Sequence, residues 1–475
     1  MNLAVIDNIR IEANSKLNPA NKSSLGQFMT PALIAQFMAS LLSSDGKDVN
    51  LLDCGAGIGT LTIAASKHLK QIHSIEQWEI DPIMRNYLED NIKALGIPFI
   101  IHGNDFIEDA VKNIADGSGK RFSHAILNPP YKKINSNSTH RKLLRTVGIE
   151  TVNLYTAFLA LTIMLMKEGG QIVAIIPRSF CNGTYYKPFR ELMLTHSGIE
   201  HIHLFESRFS AFKDDDVLQE NIIIKLVKGS NFPKVAVTTS SKNDFNNFNQ
   251  LEFNQEEIVN PNDPEKFIHI PTNKLQYHNS KLFVHLLSEL GLQVSTGPVV
   301  DFRMRQYLLT NPTEHSIPIP YPHHFVHGEV EYPKEHKKYP NAMIFDERIA
   351  KSFWTAGYYV LIKRFSSKEE RRRVVAHFVS PDAFQSDLIA FENGWNVIHV
   401  AKKGIDADLA RGLTCFLNSS EVDNFFRVFS GHTQVNATDL RNMKFPSTEN
   451  LKDMGQKYWP GNSQETIDNL IEGYK

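Results

Sequence analysis

The feature that most constrains the fold of this 475-residue chain is a regular alternation of apolar and helical segments between residues 49 and 228. Seven short apolar segments are typical of buried strands. They are VNLLDC, IHSIEQW, FIIH, FSHAIL, QIVAIIP, IEHIHLF and NIIIKLV. Most are separated by segments with helical periodicity, and strands joined through helices form parallel pairs. We therefore predict an α/β fold with a mostly parallel, doubly wound sheet of seven strands.

The alternation stops near residue 230. A stretch rich in Asn, Asp and Pro follows, SSKNDFNNFNQLEFNQEEIVNPNDPEK, and such composition is typical of a linker or an irregular excursion. Beyond it the sequence mixes short strand and helix patterns. We predict a first domain over residues 1–235, a linker or irregular excursion over 236–274, and a second, mixed α+β domain over 275–475.

Composition and charge exclude several classes of protein. The net charge is −1, so any contact with nucleic acid depends on local positive charge. Cys54, Cys181 and Cys415 form no closely spaced pair, which argues against a disulfide framework or a zinc site. The N-terminus has no signal-peptide core, and the longest apolar run, residues 154–166, is too short to cross a bilayer. We expect a cytoplasmic protein without metal or membrane contacts.

A glycine-rich turn follows the first predicted strand. Gly55 and Gly57, in DCGAGIG, allow a ligand to approach the backbone closely. An acid on the second strand, Glu76 or Glu79, could accept both ribose hydroxyls of a nucleoside. The turn could also be no more than a tight turn. Thr60 stands where a dinucleotide-binding motif has its third glycine, which argues against a nicotinamide cofactor.

A further acid, Asp105 in GNDF, ends the third predicted strand. Ligands of open α/β sheets bind outside the carboxyl ends of the strands. A carboxylate at this place could accept a hydrogen bond from an adenine amine. A turn or a helix cap is the alternative interpretation of Asp105.

The most specific motif is Asn128-Pro129-Pro130-Tyr131, which follows an apolar strand. The prolines fix the backbone and remove two amide donors. The Asn128 side-chain oxygen and the Pro129 carbonyl could then accept both protons of one amino group. An exocyclic amine is a poor nucleophile, and two acceptors stabilise the positive charge that develops when it attacks. Tyr131 could stack on the ring that bears the amine, and an ordinary Asn-Pro turn is the alternative.

Taken in order, these motifs resemble those of the class I S-adenosylmethionine-dependent methyltransferases over residues 24–230. GQFMTPALIAQFM resembles the segment at the methionine end of the cofactor, LLDCGAGIG the glycine loop and IEQWEIDP the ribose-binding strand. GNDF resembles the segment with the adenine-binding acid, and NPPY the catalytic tetrapeptide. A recognition domain after the catalytic motif is typical of the gamma group of adenine-N6 DNA methyltransferases.

The resemblance implies a Rossmann-like methyltransferase domain, S-adenosylmethionine as cofactor and a set of site residues. The implied cofactor-binding residues are Thr30, Pro31, Asp53, Gly55, Ala56, Gly57, Glu79, Asp105 and Asn128. Asn128, Pro129, Pro130 and Tyr131 are the implied catalytic residues. A paired adenine cannot reach such a site, so the nucleotide must flip out of the duplex. Phe212, with Phe209 as its competitor, is the second residue expected to stack on the flipped base.

Basic residues downstream are candidates for DNA contacts. They are Arg303, Arg305, Lys363, Arg364, Lys368, Arg371, Arg372 and Arg373. Contact with phosphates is one interpretation, and a solvated helix face is the other. The segments RFSSKEERRRVV and SGHTQVNATDL resemble the recognition domain of BsuBI/PstI-type modification methylases. The implied partners are double-stranded DNA and a separate cognate restriction endonuclease.

Three alternatives remain open at this point. NPPY-type enzymes also methylate RNA adenines or a glutamine amide in release factors, and DNA is favoured here only by the long C-terminal region. A non-catalytic DNA specificity subunit is an alternative of another class, against which the intact motifs argue. Cytosine-N4 methylation is chemically close, although those enzymes usually have Ser where this chain has Asn128.

Overall fold

A computed structural model describes residues 3–16, 29–44, 48–117, 122–205, 220–240, 245, 248–272, 282–366, 370–429 and 434–475. The chain divides into two compact units, Met1–Lys274 and Leu275–Lys475. No helix among these described residues is long and apolar enough to cross a membrane.

The first unit is built on one large sheet. Its strands, as far as the described residues extend, are β1 Val49–Cys54, β2 Ile72–Trp78, β3 Phe99–His102, β4 Phe122–Leu127, β5 Met166–Pro177, β6 Ser197–Phe205, β7 Asn221–Lys228, β8 Lys234–Ser240 and β9 Phe248–Asn254. They lie side by side in the order β3-β2-β1-β4-β5-β7-β6-β8-β9. The first five strands pair in parallel, whereas β7 runs antiparallel to both β5 and β6.

The sheet corrects two predictions, the count of seven strands and the linker over 236–274. Strand β8 pairs in parallel with β6, and β9 pairs antiparallel with β8, so nine strands are described. Val235, Val237 and Phe253 are buried, which is the period-two pattern of a strand with one face in a core. The polar composition of the connecting segment hid this alternation in the sequence.

Helices connect the strands of the first unit. They are α1 Leu3–Lys16, α2 Ala32–Ser40, α3 Thr60–His68, α4 Pro82–Lys93, α5 Phe106–Ala115, α6 Thr139–Thr146, α7 Leu154–Leu165, α8 Lys187–His196 and α9 Gln255–Ile258. Helix α4 starts where the sequence supplies a cap, because the Asp81 carboxylate accepts from the amides of Ile83 and Met84 and Pro82 occupies the first turn.

The core of the first unit lies on both faces of the sheet. In β5, Ile172, Ala174 and Ile176 belong to one apolar cluster, and Val173 and Ile175 belong to the other. Both faces of a strand are buried only when helices cover both sides of the sheet. Because strands β1 to β4 are parallel, their carboxyl ends lie at one shared edge of the sheet, where the polar and glycine-rich turns that follow them meet.

The second unit contains several small sheets. Its strands are β10 His285–Leu286, β11 Gln293–Thr296, β12 Leu308–Leu309, β13 Ser316–Pro318, β14 Phe325–Val326, β15 Glu329–Val330, β16 Ala342–Ile344, β17 Phe353–Thr355, β18 Tyr359–Lys363, β19 Ala376–Val379, β20 Leu388–Ala390, β21 Trp395–His399 and β22 Lys444–Phe445. The largest of these sheets has the order β11-β21-β18-β19, and its pairs are antiparallel.

Short helices complete the second unit. They are α10 Asp301–Met304, α11 Ala407–Leu417, α12 Ser420–Phe429, α13 Ala437–Asn442, α14 Thr448–Lys457 and α15 Gln464–Glu472. Helices α11 and α14 approach closely through Gly412 and Gly455. A Cβ atom at Gly412 would lie 1.7 Å from the carbonyl oxygen of Leu451, so only glycine permits this packing.

Candidate active site

A cavity of about 360 Å³ lies at the carboxyl ends of strands β1 to β4. Its wall combines apolar and aromatic side chains with a few polar groups. The lining residues are Met29, Thr30, Gly55, Ala56, Gly57, Ile58, Thr60, Leu61, Trp78, Glu79, Ile80, Met84, Asn104, Asp105, Phe106, Ile107, Asn128, Pro130, Lys132, Lys133, Ile134, Asn135, Ser138, His140, Leu154 and Phe158. Small-molecule sites have this character, and their volumes are ~300–1,000 Å³.

The glycine loop forms one side of the cavity. Gly55 and Gly57 have φ values of +84° and +57°, a region that other residues rarely adopt. The amides of Gly55 and Ala56 both donate to the carbonyl of Trp78, each at 2.9 Å. This contact holds the loop against the end of strand β2. The backbone of the loop thereby becomes part of the cavity wall.

Glu79 is the acid that follows strand β2 on the cavity wall. Its side chain is buried, and its two carboxylate oxygens accept from the amides of Gly57 and Asp81, each at 2.8 Å. Burial raises the pKa of the Glu79 carboxyl to about 7. A buried carboxylate that is oriented by two backbone amides is suited to accept hydrogen bonds from the hydroxyl groups of a ligand in the cavity.

The other acid proposed for ribose binding, Glu76, does not line the cavity. Its Oε1 atom lies 2.9 Å from His102 Nε2, in the interior of the unit. The register of β2 explains the difference, because Glu76 lies inside the strand and pairs with Leu52 and Ile100. The structure therefore places Glu79 alone of these two acids at the cavity.

Asp53 also lies behind the cavity wall, which corrects its prediction as a cofactor contact. It is fully buried and accepts a hydrogen bond of 2.7 Å from the Thr62 hydroxyl, which in turn accepts from the Gln77 side-chain amide at 2.8 Å. Burial raises the pKa of the Asp53 carboxyl to about 7. Asp53 thus joins strand β1 to helix α3 beneath the glycine loop.

Asp105 lies on the wall and also caps a helix, so both interpretations from the sequence describe its position. Its Oδ1 atom accepts from the amides of Ile107 and Glu108 at the start of α5, at 2.8 and 3.4 Å. Its Oδ2 atom lies 3.0 Å from Nε2 of His140 on helix α6. Burial alone would raise the pKa of Asp105, but these hydrogen bonds, foremost that from His140, lower it.

The Asn128-Pro129-Pro130 turn borders the same cavity. The Asn128 side-chain amide donates to Thr30 Oγ1 at 3.0 Å, which fixes the orientation of its oxygen. Pro130 is on the wall, whereas Pro129 is buried behind it. The chain after the turn is held by antiparallel contacts with residues 152–154, including Ile134 N to Val152 O at 2.8 Å. The acceptors of the motif are therefore on a rigid turn.

Two residues expected to stack on a base differ in what the structure shows. Tyr131 is half-buried and does not line the cavity. Its hydroxyl donates to the carbonyl of Ile175 at 3.1 Å, and its ring meets Tyr155 edge-on with centroids 6.2 Å apart. Phe212 and its competitor Phe209 lie outside the described residues, so their stacking stays a prediction.

Pro31, a predicted cofactor-binding residue, does not line the cavity and instead precedes helix α2.

Several wall residues were missed in the sequence. Trp78, Phe158 and Met84 give the wall its apolar surface, and His140 pairs with Asp105. Trp78 directly precedes Glu79, so its place at the strand end was a usable signal. His140 comes from a helix 35 residues beyond Asp105, and nothing in its own segment marks it.

In the second unit, Arg303 and Arg305 are exposed. Arg303 lies in helix α10, and its guanidinium carbon is 5.4 Å from the ring centroid of Phe302. Arg305 begins the 3-10 turn that follows. Both side chains are therefore placed where they could reach a phosphate.

The predicted basic cluster at 363–373 does not form one exposed face, and Lys368 lies outside the described residues. Lys363 ends strand β18, and its Nζ atom pairs with Glu370 at 2.9 Å. Arg364 donates from Nη1 to the carbonyl of Asn393 at 3.1 Å. These contacts engage part of the positive charge within the unit, although the side chains remain partly exposed.

The three consecutive arginines differ in exposure. Arg371 is exposed, whereas Arg372 is half-buried and burial lowers its pKa. Arg373 is 1% exposed, its Nε donates to Ser366 Oγ at 3.3 Å and its backbone amide donates to Asp423 at 2.6 Å. Phosphate contact is therefore wrong for Arg373, because its guanidinium is inside the unit. The helix-face alternative is also wrong, since these residues are not helical.

Comparison with known proteins identifies the family of the chain. The family described as Eco57I restriction-modification methylase matches residues 42–212. The chain is 48% identical to the type II methyltransferase M.BsuBI of Bacillus subtilis over 473 residues, which cover 96% of this chain and 93% of that protein. It is 41% identical to the type II methyltransferase M.PstI of Providencia stuartii over 487 residues, or 98% and 96% of the two chains.

A likeness of fold extends to a solved structure, that of the type IIL restriction-modification enzyme MmeI in complex with DNA. The TM-score is 0.53 at 12% identity, and the match covers 93% of this chain and 71% of that one. The two near full-length relatives show that the chain is a methyltransferase. The chain belongs to the type II modification methyltransferases of restriction–modification systems, in the group of M.BsuBI and M.PstI.

Proposed function

We propose that the enzyme transfers the methyl group of S-adenosylmethionine to N6 of an adenine that is flipped out of double-stranded DNA. The observation that carries this proposal is the Asn128-Pro129-Pro130 turn, held rigidly at the wall of the cavity by the bond from Asn128 to Thr30.

The residues of the cavity fit S-adenosylmethionine. Its ribose hydroxyls match the buried Glu79 carboxylate, and its adenine matches the Asp105 carboxylate beside the apolar surfaces of Trp78 and Phe158. The methionine end would be held near Thr30 and the glycine loop. When bound, this cofactor supplies a methyl group already activated as a sulfonium. No covalent intermediate with the protein is therefore required.

The role of the motif follows from the chemistry of an exocyclic amine. The Asn128 side-chain oxygen and the Pro129 carbonyl accept the two amine protons, so the nitrogen lone pair is less conjugated with the base. The same oxygens stabilise the positive charge that develops on the nitrogen. Such fixed acceptors are worth roughly 10²–10³ in rate when one of them is removed, by analogy with oxyanion donors.

DNA as the substrate is supported by the family of the chain and by the second unit. A relative of similar fold is a restriction–modification enzyme described in complex with DNA. The second unit exposes Arg303 and Arg305, which suit contact with phosphates. Unstacking the target nucleotide costs roughly a few kcal/mol, and stacking on Tyr131 would offset part of this free energy. We further propose that a separate endonuclease cleaves the same site when it is unmethylated.

The test is expression of the enzyme in a methylation-deficient bacterial host, followed by sequencing that detects modified bases. We expect N6-methyladenine at every copy of one short sequence, and none with the Asn128→Ala variant. A Trp459→Ala variant, altered at an exposed residue of the second unit that is not a candidate for DNA contact, shows whether the detection tolerates an unrelated substitution. N4-methylcytosine in place of N6-methyladenine, or methylated bases in RNA alone, would overturn the proposal.

A further inference from the structure

An exposed phenyl ring stands out on the surface of the second unit. Phe302, in helix α10, is 78% exposed. An apolar ring in water adds nothing to the stability of the folded unit, because it is equally hydrated in the unfolded chain. Its free energy is lowered only when a partner covers it.

The backbone that carries Phe302 is firmly held. Asp301 accepts a hydrogen bond of 2.9 Å from the Tyr321 hydroxyl, and the carbonyl of Val300 accepts from the amides of Arg303 and Met304 at 2.9 and 3.0 Å. Just before the helix, Val299 is fully buried. The ring therefore projects from a rigid support, so a partner that covers it need not order this segment first.

Two exposed arginines follow Phe302 in the chain. The Arg303 guanidinium lies 5.4 Å from the ring centroid, and Arg305 is exposed one turn further on. The adjacent carboxylate, Asp301, is bonded to Tyr321 and half-buried. An apolar ring beside cationic side chains matches a partner whose apolar interior is bordered by phosphates.

A second exposed aromatic ring, that of Phe365, lies near the loop at Asn393. Phe365 is 48% exposed with the Arg364 guanidinium 5.6 Å from its centroid. Arg364 bonds to the carbonyl of Asn393, and the amide of Asn393 donates to the carbonyl of Val299 at 2.8 Å. The loop at Asn393 thus connects both pairs of aromatic and arginine side chains.

We propose that Phe302 inserts into the base stack of bound duplex DNA while Arg303 and Arg305 contact nearby phosphates. Apolar side chains that enter a base step unstack it and bend the duplex, and aromatic rings stack on bases with little regard to sequence. This inference rests on the proposed function, since it takes DNA as the substrate. Phe302 would deform the DNA, whereas the two arginines would neutralise its phosphates.

The experiment measures the affinity and the fluorescence of a duplex carrying the methylated sequence identified by sequencing, with 2-aminopurine placed in turn at each position. For Phe302→Ala we expect a Kd roughly 5- to 150-fold higher, which corresponds to the ~1–3 kcal/mol of one stacking contact. The fluorescence gain at the inserted step should disappear, and Phe302→Trp should restore both signals. Melting temperatures of the variants should be unchanged, because the ring is exposed.

Two controls separate stacking from other effects. Arg303→Ala should lower the dependence of log Kd on log salt by about 0.9, whereas Phe302→Ala should leave that slope unchanged. Trp459 is a matched control: it is 63% exposed beside Arg411, but Arg411 is already paired with Asp408. Trp459→Ala should therefore leave DNA binding unchanged.

Three results would overturn the inference while the wild-type enzyme still methylates duplex DNA. They are an unchanged Kd for Phe302→Ala, equal losses for Phe302→Ala and Trp459→Ala, and loss of a dimer instead of loss of DNA binding in sedimentation of Phe302→Ala. Failure of the wild-type enzyme to methylate DNA would instead overturn the proposed function, so the two failures are distinguishable.

Discussion

Substitution of Glu79 by Gln tests the assignment of the cavity to the cofactor. In the structure, both oxygens of this buried carboxylate accept hydrogen bonds from backbone amides, those of Gly57 and Asp81. Glutamine has one oxygen, so one of these amides would face an NH₂ group. The same loss reduces the capacity to accept two ribose hydroxyls, and the negative charge is removed as well.

The magnitude follows from the hydrogen bonds that are lost. A hydrogen bond to a charged acceptor contributes about 1.5–3 kcal/mol. If one such bond to the ribose is lost, S-adenosylhomocysteine, the product of the cofactor, should bind roughly 10- to 150-fold more weakly at pH 8. Isothermal titration calorimetry measures this change directly. A change below about threefold would refute the assignment of Glu79 to ribose binding.

The pH dependence gives a second measurement on the same variant. Burial raises the pKa of Glu79 to about 7, above that of an unfolded glutamic acid. The folded protein binds the Glu79 proton more tightly than the unfolded chain does, so protonation of Glu79 stabilises the fold. This stabilisation is fully present below about pH 4.3 and is lost as the pH rises through about 7. Binding of the ribose prefers the anion, so wild-type affinity should be roughly tenfold lower at pH 6 than at pH 8. The variant should lack this dependence.

Glu76→Gln is the matched control. Glu76 lies within strand β2, three residues before Glu79, but it pairs with His102 and does not line the cavity. Its substitution should leave the affinity for S-adenosylhomocysteine and the pH dependence of binding unchanged. Equal effects of the two substitutions would show that Glu79 acts through the fold and not through the ligand.

Three other substitutions have defined outcomes. His140→Ala should weaken S-adenosylhomocysteine binding by roughly 3- to 10-fold in calorimetry, because Asp105 loses one hydrogen bond; unchanged affinity would contradict a positioning role. Arg373→Ala should destabilise the second unit by about 2–4 kcal/mol in thermal melting, whereas the exposed Arg371→Ala should stay within about 0.5 kcal/mol; equal effects would show that Arg373 is not structural. Gly59→Ala should cost about 2 kcal/mol or more in the same assay, because φ is +86° and the new Cβ would lie 2.8 Å from Leu88; Gly57→Ala, with open space around it, should cost about 1 kcal/mol.

Much of the site was predictable because its residues lie at strand ends. The strand patterns locate the carboxyl edge. Glu79 and Asn128 follow strands directly, and Asp105 comes three residues after the end of β3. Parallel strands bring such turns together whatever the details of the packing. What the pattern does not encode is side-chain direction. Asp53 is equally close to a strand end, yet it points to Thr62 beneath the loop.

The remaining errors have related physical causes. The contact of His140 with Asp105 joins two helices that are distant in sequence, so only the folded chain shows it. Arg373 belongs to a basic run, but burial depends on Asp423 and Ser366 from elsewhere in the unit. Strands β8 and β9 differ from the predicted linker, because the pairing of β8 with β6 and of β9 with β8 compensates for their polar composition.

The most direct test of the central claim is the identity of the methylated nucleoside. Duplex DNA containing the methylated sequence is incubated with the purified enzyme and S-adenosylmethionine that bears a deuterated methyl group, digested to nucleosides and analysed by mass spectrometry. We predict label only in N6-methyldeoxyadenosine, and a loss of at least about 10²-fold in rate for Asn128→Ala with binding of the duplex retained. Label in N4-methyldeoxycytidine, or an undiminished rate for Asn128→Ala, would contradict the mechanism.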